Sequence, residues 1–348
     1  MTTIHPLAAD LDHVLAYTGR LWEQLRGQRI FITGGTGFFG AWLLESFLRA
    51  NEAYQLGASA LVLTRNPEAF ARTSPLASHP AIALHPGDIR DFQFPAGRFS
   101  HIIHAAATSA VATFNHEDPL AKFDTVAGGT RRVLDFAVHC GAGRFLLTSS
   151  GSVYGRQPAG MTHVPEDYPG APDPALPASA LGEGKRAAEF LCHDCARKHP
   201  IEVSIARCFS FIGPHLQLDI HYAIGNFLRD AANGGPIRVR GDGTARRSYL
   251  HAADLMIWLW TLLFQGENGG VYNVGSEREV SIADLAGLVA SQAPGVEVLL
   301  ERQAAPGQEL DRYVPSVRRA RERLGLRERI PLEAAIRSTL AYLHSSLK

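Results

Sequence analysis

The amino-acid sequence predicts an α/β fold in which a doubly wound parallel sheet is followed by a smaller C-terminal α/β domain. Over residues 1–207, short runs rich in β-branched and aromatic residues alternate with longer amphipathic segments. After about residue 208 this alternation weakens into shorter pieces. Strands that alternate with helices are joined by right-handed crossovers, which make neighbouring strands parallel. We therefore expect a first domain over residues 1–207 and a second over residues 208–348.

Periodicity predicts each element of the first domain. A leader helix is expected where apolar residues recur at helical spacing in "LDHVLAYTGRLWEQL". The next elements, in chain order, are a strand and a helix in 28–50, strands in 58–65, 81–89 and 99–107, a helix in 119–142, a strand in 144–150, a helix in 181–199 and a strand in 201–209. The proline-rich stretch 155–178 is predicted to be an irregular surface loop. The apolar run 255–264 is too short to cross a bilayer, so we expect a buried helix there.

Composition and charge narrow the classes of function. Lys plus Arg and Asp plus Glu both total 34, so no net charge attracts nucleic acid or a membrane. Four cysteines in 348 residues do not suggest a disulfide scaffold and are typical of a reducing cytosol. Cys192 and Cys195 lack a second cysteine pair, which favours buried thiols over a metal site. The N-terminus does not have the pattern of a signal peptide, and we expect a cytoplasmic protein.

A glycine-rich turn follows the first strand and precedes the first long helix of the domain. In "TGGTGFFG", Gly34 allows a tight turn, Gly37 lets the backbone approach a pyrophosphate, and Gly40 permits close packing of helix on strand. The helix N-terminus adds free N–H groups and a partial positive charge. This context predicts a Rossmann-like dinucleotide site. The contacts expected from the turn are Gly34, Thr36, Gly37, Phe38, Phe39 and Gly40.

The end of the second strand bears on the choice between NAD and NADP. A carboxylate there binds the ribose hydroxyls, whereas an arginine pairs with a 2′-phosphate. The sequence has Thr64, Arg65 and Asn66, so Arg65 favours NADP without excluding NAD. Asp88 is expected to contact the adenine. The remaining cofactor contacts are expected from Ile89, Ala105, Ala106 and Ala107.

Taken together, these motifs resemble the extended short-chain dehydrogenase/reductase family, specifically its nucleotide-sugar epimerases and dehydratases. The resemblance extends from Gln28 to about Leu343. It rests on "TGGTGFFG", "GDIRD", "HAAA", "LLTSSGSVYG", "GEGKRAAE", "RCFSFIGP", "GDGTARRSYLHAADL" and "YNVGS". These motifs are specific for the family and do not identify the nucleotide or the sugar. The resemblance implies that the second domain binds a nucleotide-diphosphate sugar.

The resemblance also implies a proton-transfer set of a tyrosine, a lysine four residues later and a Ser/Thr one strand away. Here the serine is Ser150 and the lysine is Lys185, expected to be exposed on its helix and to contact the nicotinamide ribose. Leu181 stands at the tyrosine position, and leucine cannot exchange a proton. Tyr154 and Tyr168 are nearby in sequence, but their spacing does not support either as a substitute.

Three interpretations of Leu181 remain open. It is an inactivating substitution, one that could be made deliberately to trap a ligand. Alternatively, it marks a natural homologue with altered acid–base chemistry, or a protein that binds these ligands without turnover.

The same resemblance narrows the reaction. Family dehydratases carry an Asp-Glu pair, and UDP-glucuronate decarboxylases a glutamate, at the positions occupied here by Gly151 and Ser152. Without a carboxylate there, elimination and decarboxylation are disfavoured. Epimerisation through a transient ketone remains the first interpretation, and NADPH-dependent reduction of a keto sugar is the alternative.

By family pattern Arg247 binds the diphosphate, and Asn226 lies near the nucleotide. Contacts with the sugar are expected from Thr108, Ser109, Ser150 and Ser152. The helices near 119–140 and 181–198 correspond to those that pair in family dimers, so we expect a homodimer.

Overall fold

The computed structural model describes residues 5–107, 117–220, 222–305, 307 and 309–346. They form two compact units, each built from separate stretches of the chain. The first unit comprises Met1–Val153, Ala171–Arg207 and Met256–Tyr272. The second comprises Tyr154–Gly170, Cys208–Leu255 and Asn273–Lys348. One change of unit falls at Arg207/Cys208, but Tyr154–Gly170 belongs to the second unit and Met256–Tyr272 to the first, so the units are not the two continuous ranges 1–207 and 208–348.

Helices and strands alternate through the first part of the chain and become shorter after it. The helices are α1 (Ala8–Thr18), α2 (Phe38–Ala53), α3 (Pro67–Thr73), α4 (Pro119–His139), α5 (Ala180–Lys198), α6 (Ala223–Ala232), α7 (Ala252–Gln265), α8 (Ile282–Ala290), α9 (Arg318–Leu324) and α10 (Leu332–Ser346). The strands are β1 (Arg29–Thr33), β2 (Ser59–Thr64), β3 (Ile82–Pro86), β4 (His101–His104), β5 (Arg144–Ser150), β6 (Glu202–Cys208), β7 (Phe211–Ile212), β8 (Ile237–Val239), β9 (Arg246–Arg247), β10 (Leu250–His251), β11 (Gly270–Val274), β12 (Val280–Ser281), β13 (Val298–Leu300) and β14 (Arg312–Tyr313). Short 3₁₀ turns lie at Gly19–Leu25, Pro75–Ser78, Gly151–Tyr154 and Pro177–Ser179.

The central sheet has seven strands in the order β3-β2-β1-β4-β5-β6-β11. The pairs β1–β2, β2–β3, β1–β4 and β4–β5 are all parallel. The order reverses direction between β1 and β4, which is where a doubly wound sheet opens a crevice at the carboxyl ends of its strands. The structure therefore confirms the predicted parallel α/β fold.

The core of the first unit lies on both faces of this sheet. Strand β1 is buried from Ile30 onward because helices cover both of its faces. The ring of Phe31 lies 4.8 Å from that of Phe136 on α4. Helices α4 and α5 also pack against each other. These contacts hold in place the strand ends from which the candidate site is built.

The leader segment is a helix followed by a 3₁₀ turn rather than one continuous helix. Trp22 is fully buried, and its indole nitrogen donates to Thr18 Oγ1 at 2.7 Å. Its ring lies 4.5 Å from that of Trp260 on α7. Among the described residues, no helix is long and apolar enough to cross a membrane. As predicted, the apolar run in α7 is instead a buried helix.

The second unit has its own apolar core and small sheets. Strands β12, β9 and β14 form one sheet, β13 pairs with β8, and β10 pairs with β7. Its core packs α6, α8 and α10 together through residues such as Phe227, Leu285 and Ile336. Arg246 and Arg247 lie side by side on β9.

Candidate active site

The glycine turn between β1 and α2 has three glycines with different environments. Gly34 has φ +73°, and a Cβ there would lie 2.6 Å from the carbonyl carbon of Ala105. At Gly40 a Cβ would lie 2.3 Å from the carbonyl oxygen of Gly34. At Gly37 the nearest atom would be 3.7 Å away, at ordinary contact distance. Gly34 and Gly40 are therefore required by packing within the protein, whereas Gly37 is not.

The open side of this turn fits a dinucleotide pyrophosphate. Gly37 is the N-cap of α2, and no side chain caps the helix. Thr36 and Gly37 are exposed, and Phe38 and Phe39 are half-buried. An uncapped helix N-terminus with a bare backbone in front of it is suited to bind an anion. The residues predicted for the pyrophosphate are thus present in a geometry that would hold it.

A buried histidine supports the loop that follows β4. His104 Nε2 lies 2.9 Å from Thr130 Oγ1, whose own proton is donated to the carbonyl of Val126. Nε2 must therefore carry the hydrogen, and Nδ1 accepts from Thr33 Oγ1 at 2.8 Å. Thr33 Oγ1 in turn accepts from the backbone N–H of Ala106 at 3.1 Å. The network fixes Ala106, one of the predicted cofactor contacts, against the end of β1.

His104 is neutral in this setting. Burial lowers its pKa to about 3, and the positive charge of Lys185 contributes to that decrease. The carbonyl of His104 accepts from Thr148 Oγ1 at 3.3 Å, which joins this network to the end of β5. Neither His104 nor Thr33 was predicted from the sequence as a site residue, although the histidine begins the "HAAA" motif.

The predicted adenine end of the site carries two arginines and one acid. Arg65 is exposed and makes no hydrogen bond or ion pair with the described residues. Asp88 instead accepts from Arg90 Nε at 2.8 Å, and this hydrogen bond holds the pKa of Asp88 below its usual range. The side chain of Ile89 is buried beside Gly129 of α4, so only its backbone is available to a ligand. Ala105 and Ala106 are half-buried and Ala107 is exposed.

Strand β5 ends at Ser150, one of the predicted catalytic residues. Ser150 Oγ accepts from the backbone N–H of Ser152 at 3.1 Å and from Ser152 Oγ at 2.9 Å. The two serines are joined by the 3₁₀ turn Gly151–Tyr154. Neither position 151 nor position 152 supplies a carboxylate.

Lys185 is buried, which corrects the expectation of an exposed side chain. It is only 4% exposed, and its Nζ donates to the carbonyl of Thr148 at 2.6 Å. The prediction was wrong because Lys185 lies on the side of α5 that packs on the sheet, and helical spacing alone did not identify that side. The carbonyl oxygen partly offsets the cost of burying the ammonium.

Leu181 lies in the first turn of α5, half-buried and packed against the apolar core of the first unit. The residue after it, Gly182, lies against the 3₁₀ turn that follows β5, because a Cβ there would be 2.7 Å from the carbonyl oxygen of Ser152. Gly184 is similarly close to Val126 of α4. The start of α5 is therefore held against the turn that carries Ser150 and Ser152. At this start of α5, the side chain of Leu181 is apolar.

A buried acid on α5 was missed by sequence reasoning. Glu189 lies one turn after Lys185 and accepts from Ser149 Oγ at 2.5 Å. It also pairs with Arg207 of β6, with Nη2–Oε2 at 2.7 Å. This arrangement ties the ends of β5 and β6 to α5. The spacing of four residues from Lys185 was a usable signal, but the partner Arg207 is 18 residues away in sequence.

The residues predicted to bind the nucleotide sugar in the second unit have different environments. Arg247 is paired, with its Nη2 2.6 Å from Asp311 Oδ2. Asn226 is half-buried on α6. The predicted sugar contacts Thr108 and Ser109 lie outside the described residues.

Tyr154 and Tyr168, which lie near the predicted catalytic residues in the sequence, have different environments. Tyr154 is buried, and its hydroxyl donates to Asn273 Oδ1 at 2.7 Å. Tyr168 is half-buried in the proline-rich loop, with its ring 6.2 Å from that of Tyr154. The hydroxyl of Tyr154 therefore makes a hydrogen bond with another residue of the second unit.

The cysteines are confirmed as buried thiols. Cys192 and Cys195 are 0% and 7% exposed, and burial raises the pKa of both. In the described part of the chain, no group of three or more His, Cys, Asp or Glu side chains is arranged to hold a metal ion.

Comparison with known proteins identifies the family. The profile of the NAD dependent epimerase/dehydratase family matches residues 30–275. UDP-glucuronic acid decarboxylase 3 of Arabidopsis thaliana is 31% identical over 313 residues, which cover 87% of each chain.

Solved structures show the same fold. The UDP-glucose 4-epimerase of Thermotoga maritima, determined with UDP-glucose, aligns with a TM-score of 0.76 and 19% identity over 92% of this chain and all of its own. The RMD protein of Pseudomonas aeruginosa, complexed with NADPH, aligns with a TM-score of 0.70 and 26% identity over 92% of this chain and 99% of its own. The chain therefore belongs to the NAD dependent epimerase/dehydratase family of extended short-chain dehydrogenases/reductases, and its cofactor is NAD or NADP.

Proposed function

We propose that this protein is an NAD(P)-dependent reductase of a nucleotide-diphosphate keto sugar. The observation that carries the proposal is the set of polar groups at the predicted reacting carbon. Ser150 and Lys185 supply hydrogen-bond donors, and Leu181 occupies the position from which a base would act. The reduced nicotinamide supplies the hydride when it is bound.

Carbonyl reduction and alcohol oxidation place different demands on the protein. Reduction needs a donor to stabilise the negative charge that develops on the carbonyl oxygen and to deliver a proton. Oxidation needs a base that accepts the hydroxyl proton. Ser150 and the ammonium of Lys185 meet the first demand, and leucine at position 181 cannot meet the second. The site therefore starts from the protonation state that carbonyl reduction requires.

Elimination chemistry is disfavoured for the same kind of reason. The UDP-glucuronic acid decarboxylases to which the chain is similar are expected, from the family resemblance, to carry a glutamate where this chain has Ser152. A serine hydroxyl and the absent side chain of Gly151 supply no carboxylate. Similarity at 31% identity thus supports the fold and ligand class, whereas the substitution argues against the relatives' reaction.

The preference for NADPH rests on Arg65. Its guanidinium is exposed at the end of β2 and makes no ion pair with the described residues. The other arginine at this edge, Arg90, is paired with Asp88. Arg65 is therefore available for a 2′-phosphate.

A second candidate is the epimerase favoured by the sequence. The family profile supports it, and the chain has the fold of a UDP-glucose 4-epimerase. Epimerisation requires oxidation before reduction at one carbon, so a base would have to reach the same oxygen despite Leu181. For either reaction, Arg247 is proposed to bind the diphosphate and Asn226 the nucleotide.

The test is to assay both directions with the purified protein. A panel of nucleoside-diphosphate 4-keto sugars is incubated with NADPH or NADH, and the matching hexoses with NADP⁺ or NAD⁺, with products identified by NMR. We expect reduction of a keto sugar that is lost in Ser150→Ala. Epimerised hexose without added reductant would instead favour the epimerase. Tight binding of both ligands with no product in any assay would favour a protein that binds without turnover.

A homodimer is proposed from exposed apolar side chains on α4 and α5. Leu120 and Phe190 are each 66% exposed, so both helices present a large apolar side chain that a second copy of the chain would cover. Light scattering at micromolar concentration should give twice the monomer mass, and Phe190→Glu should reduce it to the monomer mass. Monomeric wild-type protein would contradict the proposal.

A further inference from the structure

The hydroxyl of Ser150 has an unusual pair of neighbours. Two groups of Ser152, the backbone N–H and the side-chain hydroxyl, both donate to Ser150 Oγ, at 3.1 and 2.9 Å. A serine oxygen has two lone pairs and one proton. When the hydroxyl proton of Ser152 is directed at Ser150 Oγ, both accepting positions of Ser150 are occupied.

The proton of Ser150 then has only one role. It makes no hydrogen bond to an acceptor among the described residues, so it is available to a ligand that presents an oxygen. Hydrogen bonds that a hydroxyl accepts also polarise the bond that it donates. Ser150 is consequently a donor, and Ser152 prevents it from acting as an acceptor.

The other groups predicted around the reacting oxygen do not accept either. Leu181 is apolar, and the ammonium of Lys185 has donors only. The positions of these groups are coupled, because Gly182, next to Leu181, lies against the carbonyl of Ser152. A ligand oxygen bound by Ser150 Oγ, Lys185 Nζ and the Leu181 side chain would meet donors without an acceptor.

We propose that the Ser152–Ser150 pair makes this site selective for a keto group over the corresponding hydroxyl group of the same nucleotide sugar. This inference rests on the proposed ligand class. A carbonyl oxygen only accepts, so all its hydrogen bonds can be made. A hydroxyl also carries a proton that would be buried without an acceptor, and such a group costs binding free energy. Sites that leave a polar group unpaired in this way discriminate strongly between ligands.

The experiment measures binding and not turnover. The nucleotide is first chosen as the nucleoside diphosphate that gives the largest rise in melting temperature among UDP, dTDP, GDP, CDP and ADP. Dissociation constants are then measured by calorimetry for its 4-keto-6-deoxyglucose and 6-deoxyglucose conjugates. Saturating ADP-ribose 2′-phosphate, or ADP-ribose if NAD is the cofactor, fills the dinucleotide site without a nicotinamide. No hydride can then move in either complex.

The wild-type protein should bind the keto sugar about tenfold or more tightly than the alcohol. In Ser152→Ala, Ser150 becomes free to accept, so the ratio should fall towards one through tighter binding of the alcohol. Ser152→Thr keeps a hydroxyl and should keep the ratio, which separates this role from a general structural one. Circular dichroism and the affinity for the nucleoside diphosphate serve as folding controls for each variant.

Equal affinities in the wild type, or an unchanged ratio in Ser152→Ala, would overturn the inference. An increased ratio in Ser152→Ala would also overturn it, because it would mean that Ser150 donates to Ser152. Failure of either sugar to bind would contradict this inference and the proposed ligand together. A high ratio in a protein that shows no turnover would support the inference and reject only the proposed reaction.

Discussion

The two ends of the candidate site differ in how closely they match the family pattern. At the cofactor end, Gly34 and Gly40 fit a turn that admits no side chain, and His104 fixes the neighbouring loop. At the proton-transfer end, Lys185 and Ser150 are present and well partnered, but Leu181 interrupts the set. The residues predicted for cofactor binding and those predicted for proton transfer are therefore different residues of one sheet edge. A substitution at the proton-transfer end can therefore change proton transfer while the cofactor end keeps its structure.

Restoring the missing hydroxyl at position 181 should change the reaction rate more than any other substitution. Leu181→Tyr should increase hydrogen exchange or epimerisation at the reacting carbon by about 10²–10⁴-fold, the usual contribution of general acid–base catalysis. The gain in kcat/KM should be the same in both directions, because the phenol that donates a proton during reduction accepts it during oxidation. NMR assays in both directions measure it, with Leu181→Phe as a matched control for ring size. Equal rates in Tyr and Phe variants would mean that the reacting atoms lie elsewhere.

A pair of glycine variants tests whether the cofactor end separates folding from binding. Gly40→Ala should lower the free energy of unfolding by about 3 kcal/mol, because its Cβ would overlap backbone atoms 2.3 Å away. Gly37→Ala has room within the protein and should change stability by less than about 1 kcal/mol. It should nevertheless weaken dinucleotide binding at least about tenfold, because its methyl group lies where the pyrophosphate approaches. Urea unfolding and calorimetry measure the two quantities. Unimpaired binding by Gly37→Ala would contradict the assigned pyrophosphate site.

The choice of cofactor can be tested at the exposed arginine after β2. Arg65→Ala should weaken NADP(H) by about 1.5–3 kcal/mol, the contribution of a charge-assisted hydrogen bond, and leave NAD(H) nearly unchanged. Arg72→Ala, on α3, removes another exposed arginine and should affect neither. Fluorescence titration with all four cofactor forms provides the measurement. A similar loss for both dinucleotides would reject Arg65 as the phosphate ligand.

The smallest effect is a pH dependence of stability from the histidine that supports the cofactor loop. The pKa of His104 is lowered from 6.5 to about 3, so the unfolded chain binds a proton below about pH 6.5 that the folded chain does not. Its contribution to stability is complete above that pH and decreases as the pH falls towards 3. The slope is about 1.4 kcal/mol per pH unit. His104→Gln should make the decrease between pH 6 and 4.5 shallower by about that amount in urea unfolding. An unchanged slope would show that the imidazole is protonated in the fold.

Much of the cofactor end could be predicted because its residues act locally. One βαβ unit contains the glycines of residues 34–40 and the strand and helix around them. In that unit the hydrophobic periodicity, the turn residues and the glycine motif all predict the same strand–turn–helix structure. The leader segment was harder, because the 3₁₀ turn at Gly19–Leu25 is stabilised by Trp22 packing on Trp260, far away in the chain. The helix propensity of the residues in this segment carries no information about a contact so far away in the chain.

At the proton-transfer end, the sequence identified positions but not environments. Lys185 was expected to be exposed, although it is buried under the carbonyl of Thr148. The Ser149–Glu189–Arg207 contacts join three elements that are separated in the chain. Whether Ser150 donates or accepts depends on Ser152, and that relation follows from the backbone turn and not from residue type.

The chain returns late to complete its first unit, and this affects how the protein can be made or divided. Met256–Tyr272 brings α7 and most of the outermost strand, β11, into a unit whose other strands were all synthesised before residue 209. Until that stretch leaves the ribosome, Trp22 lacks the indole ring that covers it, and a growing chain presents apolar surface to chaperones. A single cut at any one position therefore cannot separate the two units, because a fragment that ends at Tyr272 still carries Tyr154–Gly170 and Cys208–Leu255 of the second. Separate expression of the units would require residues 256–272 to be fused directly to the N-terminal stretch.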